Sequence, residues 1–376
     1  MSKVALAVVL LVVAAVAVVA VWPPSRAPIQ ATVTVREALA EERAGFTRAD
    51  APRPLSFPED HGPHPDFRTE WWYYTGNLKT AAGRHVGFQL TFFRVALAPP
   101  SEPRASAWAT RQLYFAHFAV TDTMNARFHA ASRVSRGALG LAGAAAAPFR
   151  VWVESWSAEG AGASPRLSAR DGDVALDLEL SATKPVVLQG DRGLSRKGAE
   201  PGNASLYYSF TRMPATGIVR LGAETLAVSG EAWMDREWST SGLAAGVVGW
   251  DWFAVQLNDG REVMVYLLRR RDGTVDPFSA GTLVAADGSV RRLEAGDVQV
   301  ETLAHWTSAK SGVRYPARWR LSVPAADLRL QLEPWLADQE LRVGPRYWEG
   351  AVKVAGSTAG GPIAGQGYVE LVGYGE

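Results

Sequence analysis

The chain of 376 residues carries 39 Lys+Arg against 38 Asp+Glu, a formal net charge of +1, so it has no electrostatic footprint for nucleic acid. Its 14 Trp, 13 Phe and 10 Tyr supply aromatic area for large cores or a lined pocket, while the absence of Cys excludes disulfides, thiolate catalysis and thiolate metal ligands. The length suits two ordinary domains; any metal would need His and carboxylate ligands, and the expectation is no metal and no other cofactor.

In chain order, Lys3 precedes an unbroken apolar run from Val4 to Val21, closed by Trp22-Pro23-Pro24. A secretory apolar region is usually ~7–15 residues and a membrane span ~20, and this run falls between them. Residues 1–26 are expected to be a signal peptide or an N-terminal membrane anchor, with Trp22 at the far boundary favouring the anchor. Either exports the chain to the periplasm or cell envelope, with residues 4–21 in the inner membrane if uncleaved. Residues 27–54 are rich in Pro, Ala and Arg and read as a spacer, with a short helix at Val35–Arg43.

Beyond the spacer, period two dominates. Val86, Phe88, Leu90 and Phe92 share one face of a strand, as do Val174, Leu176, Leu178 and Leu180. Similar runs recur at Gln112–Thr121, Val151–Ser157, Ser205–Phe210, Thr225–Trp233, Trp250–Leu257, Glu262–Arg269, Ala317–Val323, Leu328–Leu332 and Gly365–Leu371, separated by turns such as Asn258-Asp259-Gly260. The fold class is mainly β and antiparallel, organised as barrels or sandwiches. Ala138–Pro148 reads as a surface excursion. The Gly/Ala/Ser stretch at Ser239–Val248 marks a break, giving domains at 55–242 and 243–376.

Three clusters can carry chemistry. In the first, Asp60, His61 and His64 give an H-x-x-H spacing on a Pro-flanked loop, without the helical register of a zinc motif. They read as a hydrogen-bonded structural loop. The strand that follows puts Glu70, Trp72 and Tyr74 on one face and Trp71, Tyr73 and Thr75 on the other. In the second, Trp233, Asp235 and Glu237 point one way and Met234, Arg236 and Trp238 the other; if buried, one of the two acids keeps its proton, the condition for a general acid. Hydrogen bonds to strand-end amides or pairing with arginines are the structural alternative. In the third, Trp250 and Trp252 share a face opposite Asp251, which must find a partner, such as an arginine, or protonate. No nucleophile elbow or phosphate-cradling loop is present, though exposed tryptophans would also serve sugars.

The motifs Phe57-Pro58-x-Asp60-His61-Gly62-x-His64-Pro65, Glu70-Trp71-Trp72-Tyr73-Tyr74-Thr75-Gly76-Asn77-Leu78, Gln89–Arg94, Trp233-Met234-Asp235-x-Glu237-Trp238 and Gly249-Trp250-Asp251-Trp252 occur in order over residues from about 55 onward. In these the chain resembles the AttH branch of the AttH/CrtC lipocalin-like family. The resemblance implies two lipocalin-like antiparallel β-barrel domains in tandem, export, and a role beside an ABC-type export system, whose permease is then a partner. It also relates the chain to carotenoid 1,2-hydratases and fungal Diels–Alderase-type cyclases, in which Asp235 matches the acid that protonates an isoprenoid double bond. The segment after the paired tryptophans departs from the hydratases.

The expectation is an exported protein holding an apolar or amphipathic ligand, a lipid or isoprenoid, in an aromatic-lined cavity at a barrel mouth. Glu70, Trp72, Tyr74, Trp233, Trp238, Trp250 and Trp252 are its candidate ligand-binding residues. The rival is a hydro-lyase or cyclase with Asp235 as acid, assisted by Glu237 or Asp251. A third reading is a transporter adaptor with filled barrels. A cavity separates the first two from the third, and an acid pointing into it favours the enzyme.

Overall fold

Alternating apolar residues cover the chain from residue 69 onward, and they fold as antiparallel strands. The computed structural model describes residues 44–100, 106, 108–344 and 346–375; the apolar run 4–21 and the expected helix Val35–Arg43 lie outside the described residues. Among those described, the only helical elements are three single 3-10 turns.

Strands between Thr69 and Ser239 form one sheet of 13, and strands between Val247 and Val372 form a second of 10. The two are wired alike. Thr69–Lys79 pairs on one side with His85–Ala96 and on the other with the last strand of its sheet, Glu224–Ser239. Val247–Leu257 pairs likewise with Glu262–Arg270 and with Gly361–Val372. Pairing first strand to last carries each sheet round upon itself and makes two lipocalin-like barrels in tandem, each order still ending on edge strands.

The period-two faces point where their pattern requires. Val86, Phe88, Leu90 and Phe92 enter the core of the first barrel with Val174, Leu176, Leu178 and Leu180, and Phe253, Val255, Leu257, Val369 and Leu371 enter the second. Two expectations need correction. Val151–Ser157 is two strands, Phe149–Val153 and Trp156–Ala161, because Glu154 takes a φ of 56° and turns the chain back in a hairpin. Ala138–Pro148 includes the strand Ala142–Ala146, an edge whose Gly143 lies so close to the Trp152 ring that a Cβ would sit 2.6 Å from it. Ahead of the first strand, Phe46 and Ala49 are buried, and the Thr240 hydroxyl bonds the Thr47 carbonyl.

The barrels meet through their outer faces, where Tyr73, Tyr207 and Trp233 pack with Trp252, Tyr266 and Tyr368. Asn77 Nδ2 donates to the Gly367 carbonyl at 3.0 Å, and Gln256 Nε2 to those of Thr211 and Ala232 at 2.9 and 3.0 Å. His117 Nδ1 bonds the Tyr347 hydroxyl at 2.8 Å, and the Thr121 hydroxyl donates to Gln339 at 2.7 Å. Each is worth about 1 kcal/mol when made and costs more when broken inside a buried face, so the contact specifies one orientation. Gly87 permits it: a Cβ there would lie 2.7 Å from the Ala351 Cβ of the other barrel.

Candidate active site

Where the two outer faces diverge they leave a cavity of about 140 Å³. The first barrel contributes Trp71, Tyr73, Phe93, Phe115, Tyr207, Asp235 and Glu237 to its wall, and the second Trp250, Trp252, Tyr266, Tyr347 and Glu370. The cavity thus lies between the barrels, whereas the expected ligand position is a barrel mouth. Its volume is close to that of an engineered apolar cavity of about 150 Å³ that admits benzene.

Asp235 is 4% exposed, on the strand Glu224–Ser239 directly opposite Tyr73 and Ser209. Its Oδ1 accepts from the Ser209 hydroxyl at 2.5 Å and from Trp233 Nε1 at 2.7 Å, and its Oδ2 faces the Tyr207 hydroxyl at 2.6 Å. Gln189 Nε2 donates to Ser209 Oγ at 2.8 Å, and Gln189 Oε1 accepts from Thr282 of the second barrel at 2.6 Å. This chain leaves the Ser209 hydrogen for Oδ1, while Trp233 can only donate. Oδ1 therefore accepts twice, and an added proton belongs on Oδ2. Tyr207 lines the cavity, whereas Ser209 and Trp233 do not, so Oδ2 is the cavity-side oxygen.

Burial raises the Asp235 pKa from 3.8 to about 7; the bonds from Ser209, Tyr207 and Trp233 hold it back and the Glu237 charge adds to the rise. Glu237 has its own cation, Lys197, at 3.5 Å, and Lys197 sits over the Tyr266 ring at 3.8 Å. Asp235 has no ion-pair partner among the described residues. A carboxyl that holds its proton near neutral pH beside aromatic faces can donate it to an apolar group and stabilise the cation that forms.

The other expected residues divide by face. Trp72, Tyr74 and Trp238 are fully buried in the core of the first barrel, because their positions fall on its inward side. They fill the interior and do not line the cavity. Glu70 borders the cavity, but its carboxylate is taken by Arg94 and Arg236 inside the barrel end. Burial alone would raise its pKa, and the two guanidinium groups outweigh that and hold it well below the usual carboxylate range. Trp233 packs between the barrels, Trp250 donates to Glu370 at 2.7 Å, and Trp252 Nε1 to the Tyr207 hydroxyl at 3.3 Å. Asp251 points into the second barrel, bonded to Arg269 at 2.8 Å and to the Tyr374 hydroxyl at 3.0 Å; it is a structural acid away from the cavity.

Asp60, His61 and His64 close the end of the first barrel. His64 bridges Asp60 at 2.8 Å and Glu70 at 3.2 Å and stacks on Trp238 with centroids 3.8 Å apart. His61 Nδ1 bonds the Tyr208 hydroxyl at 2.6 Å, and burial, helped by Arg236, lowers its pKa to about 4. Among the described residues no group of three or more His, Cys, Asp or Glu is arranged to hold a metal ion.

Sequence reasoning missed Trp71, Tyr73, Tyr207, Lys197 and Glu370. Trp71 and Tyr73 were readable as the alternate face of the first strand, had the outward face been chosen. Tyr207 and Glu370 stand in ordinary strand runs, and only the docking of the barrels brings them to Asp235.

A family model described as AttH-like matches residues 48–374. A solved AttH protein from Nitrosomonas europaea is 35% identical, with a TM-score of 0.76 over 86% of this chain and 99% of that one. Kievitone hydratase from Nectria haematococca is 18% identical, with a TM-score of 0.63 over 89% of this chain and 98% of that one, a likeness of fold. Among proteins of curated function none matches.

Proposed function

This chain belongs to the AttH-like family, and from that premise we propose that it is an exported acid catalyst, which binds the alkene end of an apolar molecule between its barrels and protonates it from Asp235. The observation that carries this is a buried carboxyl at the wall of an aromatic cavity, with no ion-pair partner among the described residues and its Oδ2 on the Tyr207 hydroxyl of that wall. A barrel pair serving only as an adaptor has no need of such a group, and burying it unpaired costs stability. Export rests on the apolar run from Val4 to Val21.

The chemistry follows from the wall. Oδ2 delivers its proton to the less substituted carbon of a trisubstituted double bond, leaving a tertiary cation over the faces of Tyr73, Tyr207 and Trp252. Water or an internal nucleophile then captures the cation, giving hydration or ring closure. Incubation of the full-length protein with prenol or geraniol in D2O, followed by mass spectrometry, tests this. Addition of water with deuterium on the alkene carbon is expected from the wild type. Asp235→Asn should lower it by about 10²–10⁴-fold, the ordinary contribution of a general acid. Equal turnover by both proteins would remove Asp235 from the chemistry.

A further inference from the structure

Ten carboxyl side chains are buried among the described residues, and eight of them face an Arg, Lys or His within ion-pair distance. The two that do not are Asp235 and Glu349. Glu349 lies on Arg346–Thr358, directly opposite Glu370 of Gly361–Val372, and Glu370, which also lacks an ion-pair partner, is exposed only in part and lines the cavity. The two buried carboxyls without cations thus lie at or behind the cavity, one on each of its walls, with Glu370 beside Glu349.

We propose that Glu370, backed by Glu349, is the second proton-handling group of this site, the base that takes the proton released when water adds to the cation made by Asp235. The inference rests on the proposed reading of Asp235. Residues directly opposite on antiparallel strands have Cβ atoms about 4.5–5.5 Å apart, too close for two buried carboxylates to ionise together. Glu349 is fully buried and neither of its oxygens makes a hydrogen bond. The hydroxyls of Tyr73 and Tyr347 face it closely enough to favour its charge without reaching bonding geometry. Burial, then the charge of Glu370, pushes its pKa well up, so Glu349 keeps the pair's proton. Burial also raises Glu370, against the bond from Trp250 and with the charges of Asp235 and Glu237.

The groups facing the pair are Tyr73 from Thr69–Lys79, Asp235 and Glu237 from Glu224–Ser239, and Tyr347 and Tyr368 on its own strands. Behind Tyr347 stands His117, whose pKa burial lowers to about 4, so it is neutral. The nearby cations, Lys197 and Arg269, are held by Glu237 and Asp251. Among the described residues no Arg, Lys or His lies within ion-pair distance of Glu370.

The step balances. The Oδ2–H bond of Asp235 breaks as a C–H bond forms from the alkene π pair. The water oxygen then bonds the cationic carbon, and one O–H bond of the resulting oxonium breaks in favour of the Glu370 carboxylate. Asp235 has lost one proton and the glutamate pair has gained one; return through cavity water restores the site. The net change is alkene plus water to tertiary alcohol. Glu370 touches the reacting water, and Glu349 is a positioning residue that stays protonated behind it, leaving Glu370 the member of the pair that accepts.

The test uses the full-length protein labelled with ¹³C at the Glu side-chain carboxyls, alone and with geraniol in D2O. By NMR, Glu370 should titrate above the ordinary glutamate range while Glu349 stays protonated through that titration, and Glu349→Gln, which keeps the neutral form, should leave the Glu370 titration in place. Glu370→Gln, which keeps an acceptor for Trp250, should lose water addition by about 10²–10⁴-fold while retaining exchange of deuterium into the alkene, since Asp235 still gives and retakes its proton. Glu370→Asp, which keeps the acid, should recover part of the addition. Titration of Glu370 in the ordinary glutamate range, or ionisation of Glu349 before it, would overturn the inference, as would undiminished water addition by Glu370→Gln while Asp235→Asn is inactive; that last pattern leaves the reading of Asp235 standing. Full activity in Asp235→Asn would instead sink that reading and this inference with it.

Discussion

Asp235 and Glu70 are both buried acids on neighbouring strands, and their neighbours send them in opposite directions. Glu70 faces two guanidinium groups and is held ionised; Asp235 faces hydroxyls and indoles, and burial leaves its pKa about 7. A general acid must be protonated to act, so turnover of geraniol should fall as pH rises through about 7, and with Glu370, itself raised to about 7, needed as the ionised base it should fall on the acid side as well. Tyr207→Phe removes a bond that favours the carboxylate, and the fall should move to higher pH, read from a pH–rate profile. Stability follows the same group. The folded carboxyl keeps its proton up to about 7 while the unfolded one releases it near 3.8, so between those values the folded state binds more protons and stability falls as pH rises. The penalty above that window is at most about 4 kcal/mol, at 1.36 kcal/mol per pKa unit. Urea unfolding across pH 4 to 8 should show a steeper fall for wild type than for Asp235→Asn; parallel curves would mean that Asp235 titrates normally.

A strand has two faces, and the strand Thr69–Lys79 gives each a separate task. Glu70, Trp72 and Tyr74 build the closed end and core of the first barrel, and Trp71 and Tyr73 line the cavity. Glu70→Gln leaves Arg94 and Arg236 buried without their counter-charge, which should cost about 3–5 kcal/mol in urea unfolding. Geraniol binding, followed by tryptophan fluorescence in protein that remains folded, should be unchanged. Because the folded Glu70 pKa is depressed, its stabilisation is present above about 4.5 and lost as pH falls below that. Both faces of this strand were readable in the sequence, since alternation is a local property; the side that faces a ligand was not. In a lipocalin-like barrel the inward face is the obvious place for a ligand, and here bulky Trp72, Tyr74 and Trp238 fill it. Asp235 was legible for a similar local reason, an acid set between tryptophans on one strand face. Glu349 and Glu370 were not, because their meaning comes from lying opposite each other across strands that the sequence separates by 20 residues, and opposite Asp235 across two barrels.

At the scale of the molecule, two sheets wired in the same order with no visible sequence repeat each make a filled barrel, and the cavity arises only where their outer faces meet. Each barrel has its own core cluster, and the aromatic cluster between them is a third. The fit at the contact therefore governs the site without governing either core. Gly87 lies in close contact there: a Cβ would stand 2.7 Å from the Ala351 Cβ and 3.2 Å from the Thr121 Cβ, both already packed. Gly87→Val has no space to fill and must push the barrels apart, with an overpacking cost of about 1–3 kcal/mol. Separation would also stretch the nearby bond between Thr121 and Gln339, at 2.7 Å, and that between Asn77 and Gly367, at 3.0 Å. Gly296→Val is the matched control, since its Cβ would meet nothing within 4 Å. Gly87→Val should weaken geraniol binding at least tenfold by fluorescence titration, while thermal unfolding shows both barrels still folded and Gly296→Val behaves as wild type. Unaltered binding in Gly87→Val would place the ligand elsewhere, since a cavity made by two surfaces cannot survive their separation.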